Sequence, residues 1–265
     1  MRPLFEIRHV KYAYHTMQGE TPALSDITFD VNTGEFAAIV GPSGCGKSTL
    51  LNLLSGMLIP ESGSILLNGS PLGQENRRQI GYMLQQDHLL EWRSILKNIL
   101  IGLEIRHELT PQSLDYAREL LKQYGLEKFA DAKPSQLSGG MRQRAALVRT
   151  LILKPDLLLL DEPFSALDYQ TRLTVGNDIG TIIRKEKKTA ILVTHDLSEA
   201  VSLADRIIIL SKRPGTVRHI INVEMPQELS PMERRNHDTF KTYFNLIWKE
   251  LHHETNPDQP GSLPA

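Results

Sequence analysis

The chain has a single cysteine, Cys45, among its 265 residues. Neither an intrachain disulfide nor a multi-cysteine zinc site can form, and a reducing compartment is expected. An excess of charge is also missing: 30 Lys and Arg face 31 Asp and Glu, a formal net charge of -1. That balance provides no overall footprint for nucleic acid or an anionic membrane, so any phosphate chemistry must be local. Long apolar runs are absent too. The most apolar stretch is broken by Arg149, Lys154, Pro155 and Asp156, short of the roughly 18 residues a spanning helix needs. Arg2, Glu6, Arg8 and His9 interrupt the first ten residues, which excludes the apolar core of a signal peptide there. No internal repeat or low-complexity tract is visible. A role at a membrane would have to run through partners.

What is present is an alternation of short β-like runs and helical patterns. Residues 4–10, 27–31 and 36–40 read as strands separated by Gly and Pro turns. Residues 48–58 follow with helical spacing in Leu51, Leu54 and Leu58, and Pro60-Glu61-Ser62-Gly63 reads as a turn. From about 93 to 154 the pattern is mainly helical, with Ile95, Ile99 and Leu103 on one face and Leu114, Ala117 and Leu121 on another. Residues 157–160 are an apolar run too short for a helix, which fits a strand buried on both faces of a parallel sheet. Residues 190–194 and 206–210 have the same character, with helices between. The pattern predicts a doubly wound α/β core with a helical insertion. Residues 231–251 read as one amphipathic helix, with Phe240, Phe244, Ile247 and Leu251 on one stripe. Residues 256–265 hold three prolines and no periodicity, and are expected to lack fixed structure.

Three segments carry chemistry. Gly41-Pro42-Ser43-Gly44-Cys45-Gly46-Lys47-Ser48-Thr49 matches G-x-x-x-x-G-K-[ST], in which backbone N–H groups surround a phosphate at a helix N-terminus. The four fixed positions would coincide by chance in roughly one chain of this length per hundred, and the strand before and helix after further disfavour a chance turn. Lys47 would reach the β- and γ-phosphates, the Ser48 hydroxyl would ligate Mg²⁺, and Thr49 would lie near the α-phosphate. Cys45 reads as a small residue that fits a variable position of the loop.

The second segment, Asp161-Glu162 after four leucines, puts two carboxylates at the carboxyl end of a buried strand, where open α/β sheets bind ligands. Strand alternation predicts that they point opposite ways, Asp161 toward Mg²⁺ and Glu162 toward the attacking water. The third, Leu137-Ser138-Gly139-Gly140, offers Ser138 as an N-cap and two glycines that leave the first helical N–H groups open to an anion. Met141, Ala145, Val148 and Ile152 would bury one side of the helix that follows.

In this order the three segments resemble the ATP-binding-cassette (ABC) family, across about residues 4–220. The resemblance implies a P-loop NTPase core with a mostly parallel sheet, an N-terminal antiparallel β subdomain and an inserted α-helical subdomain near residues 90–154. It implies a nucleotide-binding domain over 1–230; periodicity adds a C-terminal amphipathic helix over 231–252, and composition an unstructured tail over 253–265. The resemblance further implies that residues 137–140 close over ATP bound to a second copy of the chain, in a head-to-tail dimer holding two MgATP.

Other positions take roles only through the resemblance. Tyr14 resembles the aromatic that stacks on adenine, with Tyr12 as a neighbour. Gln85 resembles the glutamine that touches Mg²⁺ and the water, Asp168 ends the segment Ser165-Ala166-Leu167-Asp168 that crosses the dimer interface, and His195 resembles the histidine that contacts the γ-phosphate. His252-His253-Glu254 reads as a solvated helix end, because no third ligand is spaced to complete a metal site.

One uninterrupted cassette without a fused span resembles the ATPase subunit of a bacterial importer, whose partners would be two transmembrane permease subunits and, indirectly, a periplasmic solute-binding protein. The implied location is the cytoplasmic face of the inner membrane. Residues 89–99 and 211–217 resemble the nitrate, sulfonate and taurine importer group, which includes pyrimidine-precursor importers. The chain departs from that group at Leu84, Gln86 and Glu91. Trp92 fits either a docking aromatic or a core tryptophan. The alternative is a soluble ABC ATPase acting on DNA or the ribosome, from which the balanced charge and single cassette point away.

Overall fold

The computed structural model describes residues 3–17 and 19–252. The tail 253–265 and the pair His253-Glu254 lie outside them.

Two sheets organise the chain. The first is antiparallel, in the order β2-β1-β4-β5, built from β1 (Phe5–Thr16), β2 (Gly19–Val31), β4 (Ser62–Leu67) and β5 (Ser70–Pro71). β1 and β2 run beyond the two short strands read from the sequence, because pairing continues through register shifts near Val10, Tyr12 and Ala13 that break a simple alternation. The expected turn at Ser62-Gly63 is instead the start of β4.

The second sheet has the order β10-β9-β3-β8-β7-β6, with β3 (Phe36–Val40), β6 (Ile80–Met83), β7 (Leu157–Asp161), β8 (Thr189–Val193), β9 (Arg206–Leu210) and β10 (Val217–Asn222). The first five of these strands pair in parallel, and β10 closes one edge antiparallel. The central strands are apolar at nearly every position because both faces are covered. Phe36, Ala38, Val40, Leu158 and Leu160 face one core with the helical insertion, while Ala37, Ile39, Leu157 and Leu159 face the other with α1 (Lys47–Leu54) and the antiparallel sheet.

The insertion holds α2 (Ile95–Ile105), α3 (Pro111–Gln123) and α4 (Gly139–Leu151). α3 begins at Pro111, with Thr110 and Ser113 in a reciprocal capping box, which satisfies N–H groups that would otherwise lack partners. Asn98, fully buried on α2, accepts from Leu90 N at 2.7 Å and donates to Leu90 O at 3.1 Å. That pair pins the loop carrying Trp92, whose side chain is 73% exposed; the core role read for it is excluded.

α5 (Tyr169–Lys185) and α6 (Leu197–Leu203) flank the sheet. The C-terminal stretch, expected as one helix, is two: α7 (Pro231–Arg235) and α8 (Phe240–His252). Arg234, 1% exposed, donates to Ser202 O of α6 at 3.2 Å and fixes α7 there. The His237 ring then bonds the Thr239 hydroxyl and backbone N–H, a local alternative to helical bonding that breaks the run. α8 resumes with Ile247 buried and Phe240, Phe244 and Leu251 packed against the core.

Candidate active site

The carboxyl end of the parallel sheet gathers the predicted groups. β3 ends at Val40, and residues 41–46 turn back into α1, with Gly44 at φ 75° and Gly46 at φ 105°. Only glycine adopts these conformations without strain. A β-carbon on Gly41 would lie 2.8 Å from Cys45 Sγ, and one on Gly46 would lie 2.7 Å from Leu24 Cδ2. Gly46 caps α1 without a side-chain bond, so the first N–H groups of the helix stay available to an anion. Lys47 Nζ curls over the loop, donating to Gly41 O at 2.9 Å and Pro42 O at 3.0 Å. Ser43 and Ser48 are exposed beside it, and Thr49 is buried. Cys45 is buried, and burial pushes its thiol above the ordinary range despite Lys47 nearby, which fits packing and opposes redox use.

Asp161 is the last residue of β7. Burial raises its carboxyl and the neighbouring Glu162 charge adds to that, while the Tyr82 hydrogen bond and Lys47 work against it. Tyr82 OH donates to Asp161 Oδ2 at 3.2 Å, and the phenol is itself pushed far up, chiefly by burial.

Glu162 corrects the alternation argument. It lies past the strand end with φ 41°, its N–H bonded to Val193 O at 2.8 Å. A left-handed turn, uncommon outside glycine, aims its carboxylate. There Glu162 Oε2 meets His195 Nδ1 at 3.1 Å and accepts from Gln85 Nε2 at 3.3 Å. Gln85 also donates to the Ser165 hydroxyl at 3.3 Å. Residues far apart in sequence therefore converge on one carboxylate.

His195 itself is held by its flanks. Thr194 Oγ1 donates to Glu199 Oε2 at 2.6 Å and accepts from Asp196 N at 3.0 Å, and the Asp196 carboxylate caps α6 through Ser198 N and Glu199 N. Glu199 is 4% exposed and burial pushes its carboxyl up to about 7, against the Thr194 hydrogen bond. Sequence reasoning missed Tyr82, Thr194 and Glu199. The one available signal was a polar residue in an otherwise apolar strand or helix face.

Tyr14 is 39% exposed, edge-on to Tyr12 at 5.2 Å, and its OH shares a hydrogen bond with the Thr49 hydroxyl at 3.0 Å. Tyr12 packs against the core, so Tyr14 is the ring with a free face.

The residues at 137–140 do not join this group of side chains. Leu137 is buried, and Ser138 accepts from Met141 N at 3.3 Å as the cap of α4. A β-carbon on Gly140 would come within 2.9 Å of Thr171 and Val175 on α5. Asp168 likewise caps α5 through Thr171 N at 3.0 Å, and that hydrogen bond lowers its carboxyl.

A family profile described as ABC transporter matches residues 24–165. The uncharacterized ABC transporter ATP-binding protein YtlC of Bacillus subtilis (strain 168) is 46% identical over 248 residues, which are 92% of this chain and 94% of that one. The aliphatic sulfonates import ATP-binding protein SsuB 2 of Burkholderia cenocepacia (strain HI2424) is 41% identical over 263 residues, 99% and 93% of the two chains. Among solved structures, the dimeric post-hydrolysis state of the ATP-binding cassette MJ0796 bound to ADP and Pi matches with TM-score 0.71 and 29% identity, over 84% of this chain and all of that one. The strand order, the glycine-built loop and these relatives converge on one conclusion: the chain belongs to the ABC transporter family and is an ATP-binding, ATP-hydrolysing cassette of the P-loop NTPase fold.

Proposed function

We propose that this cassette energises an importer: two copies bind two MgATP head to tail, close, hydrolyse, and reopen beneath two membrane subunits. The observation that carries the reading is the convergence of Gln85 and His195 on the Glu162 carboxylate, at 3.3 and 3.1 Å, beside a phosphate loop.

In this reading residues 41–49 bind the phosphates through backbone N–H groups, with Lys47 as a point charge that leaves its carbonyl partners for the β- and γ-phosphates. Glu162 accepts the proton of the attacking water, as general base or positioning group. Gln85 and His195 orient that water and the γ-phosphate, and Tyr14 offers its free face to adenine. Mg²⁺ fits the donor set. A desolvated Asp161 whose carboxyl is driven upward by burial gains most from a cation, and the Ser48 hydroxyl, Gln85 amide and Asp161 carboxylate are the oxygen donors this ion prefers. Among the described residues no group of three or more His, Cys, Asp or Glu is arranged to hold a metal ion by itself; in this reading these donors hold it jointly with the nucleotide. Bound there, it neutralises charge on the phosphate oxygens.

Residues 137–140 of the second copy would complete each site, and Asp168 would cross the interface near them. The importer reading is supported by relatives named for sulfonate import; within it, the solute is a small molecule of the nitrate, sulfonate or taurine kind, or a pyrimidine precursor. No described helix is long and apolar enough to cross a membrane. In this reading the subunit sits at the cytoplasmic face of the inner membrane, docked through the loop carrying Leu84 and Trp92, both exposed. A periplasmic solute-binding protein would deliver the solute. Action on DNA or the ribosome gains no support from the balanced charge.

Glu162→Gln tests the assignment. Hydrolysis should fall by about 10²- to 10⁴-fold, the usual worth of a general base, with MgATP still bound. Normal turnover would overturn the role given to Glu162.

A further inference from the structure

Residues 211–216, between β9 and β10, touch both the phosphate loop and the antiparallel sheet, and the proposed chemistry makes no use of them. The turn closes on itself: Ser211 N donates to Thr216 O, and Thr216 N to the Ser211 hydroxyl, each at 3.0 Å. On one side it presses against the phosphate loop. A β-carbon on Gly41 would lie 3.1 Å from Leu210 Cβ at the turn's entry, and one on Gly215 would collide with the Cys45 carbonyl oxygen. On the other side it is bonded to β2. Arg213 Nε donates to Pro22 O at 2.9 Å, Gly215 N to Ala23 O at 2.9 Å, and Ser25 N to Gly215 O at 2.8 Å.

The same stretch of β2 is paired with the part of β1 that carries Tyr14: Tyr14 lies opposite Thr21, and Ala13 opposite Pro22. The two sheets are separate hydrogen-bonded units, so contacts such as these set where one stands relative to the other. We infer that residues 211–216 are a spacer that, together with the Tyr14–Thr49 hydrogen bond at 3.0 Å and the packing of Leu24 on Gly46, fixes the distance from the Tyr14 ring to the phosphate loop. Arg213 and Gly215 are its positioning residues, and they determine how strongly the site prefers a triphosphate carrying a base over a bare one. The inference rests on the reading of Tyr14 as the base contact.

The two residues separate the effects. Arg213 bonds β2, so its loss should displace the ring and spare the phosphates. Gly215 abuts the Cys45 carbonyl, so a side chain there should disturb both.

Dissociation constants of the full chain for MgATP and for magnesium tripolyphosphate, measured by calorimetry, test this. Tyr14→Ala should weaken MgATP about tenfold, in the range of a lost base–aromatic stack, with tripolyphosphate unchanged. Arg213→Ala should weaken MgATP about threefold, the scale of one hydrogen bond, with tripolyphosphate unchanged, and should add nothing further in the Tyr14→Ala background. Gly215→Ala should weaken both ligands. If Tyr14→Ala is selective but Arg213→Ala leaves MgATP unchanged, weakens both ligands equally, or adds its full effect to Tyr14→Ala, the spacer is refuted and the base contact stands. If Tyr14→Ala does not discriminate between the ligands, the base contact fails and the spacer falls with it.

Discussion

Two helices of this chain start with open N–H groups, α1 at the phosphate loop and α4 at residues 137–140, yet their surroundings differ. α1 starts without a side-chain cap and carries Lys47 as its first residue, and the carboxyl end of the sheet brings Asp161, Glu162 and His195 to its side. α4 is capped by the Ser138 hydroxyl, and its glycines serve close packing on Leu167, Thr171 and Val175. One end combines an anion cradle with a cation, a carboxylate pair and a histidine. The other is a surface of donors without chemistry of its own. The difference is what the proposed dimer would use: in that reading the second end serves a phosphate held by another copy.

The largest effect expected from this contrast is at Lys47. Lys47→Ala should weaken MgATP by about 10²- to 10⁴-fold, as two charge-assisted bonds of about 1.5–3 kcal/mol each are lost, whereas Ser138→Arg should leave the affinity of the monomer unchanged. Equilibrium titration of both variants checks this, and equal losses would erase the distinction between the two ends.

Next in size is the pH dependence beneath His195. Glu199 rises from an ordinary 4.5 to about 7 in the folded chain, because burial disfavours its charge. The folded state therefore holds this proton more tightly than the unfolded one. Stability from this group is full below about 4.5, falls as pH rises, and levels off above about 7, a change on the order of 3 kcal/mol at 1.36 kcal/mol per unit. Denaturant unfolding of Glu199→Gln across that window should show the slope reduced; an unaltered slope would mean another group is responsible.

The smallest effect belongs to α4. Gly140→Ala forces a methyl to within 2.9 Å of Thr171 and Val175, which should cost about 1–3 kcal/mol of unfolding free energy as overpacking, with MgATP affinity unchanged. A neutral substitution would show that α4 and α5 can separate freely.

Much of this was legible in the sequence because local rules carry it. β9 at Arg206–Leu210 and β3 at Phe36–Val40 coincide with the runs read directly, since a strand buried on both faces leaves an unbroken apolar signature. The phosphate loop was equally plain, because its glycines answer to backbone geometry that few other residues satisfy. What escaped was set by contacts distant in sequence. Glu162 is aimed by a left-handed residue and not by alternation, and Asp161 is held by Tyr82, 79 positions away. The C-terminal helix breaks at His237 and Thr239 because buried Arg234 fixes what precedes them. The bracing of Cys45 by Gly215 is invisible until β9 and β3 are neighbours.

The central claim, that each site needs the α4 end of a second copy, is tested most directly by sedimentation of Glu162→Gln with MgATP. The account predicts a dimer, and a return to monomer when Ser138→Arg is added while each chain still binds MgATP. A Glu162→Gln protein that stays monomeric with MgATP, or a double variant that dimerises as well as the single one, would contradict it.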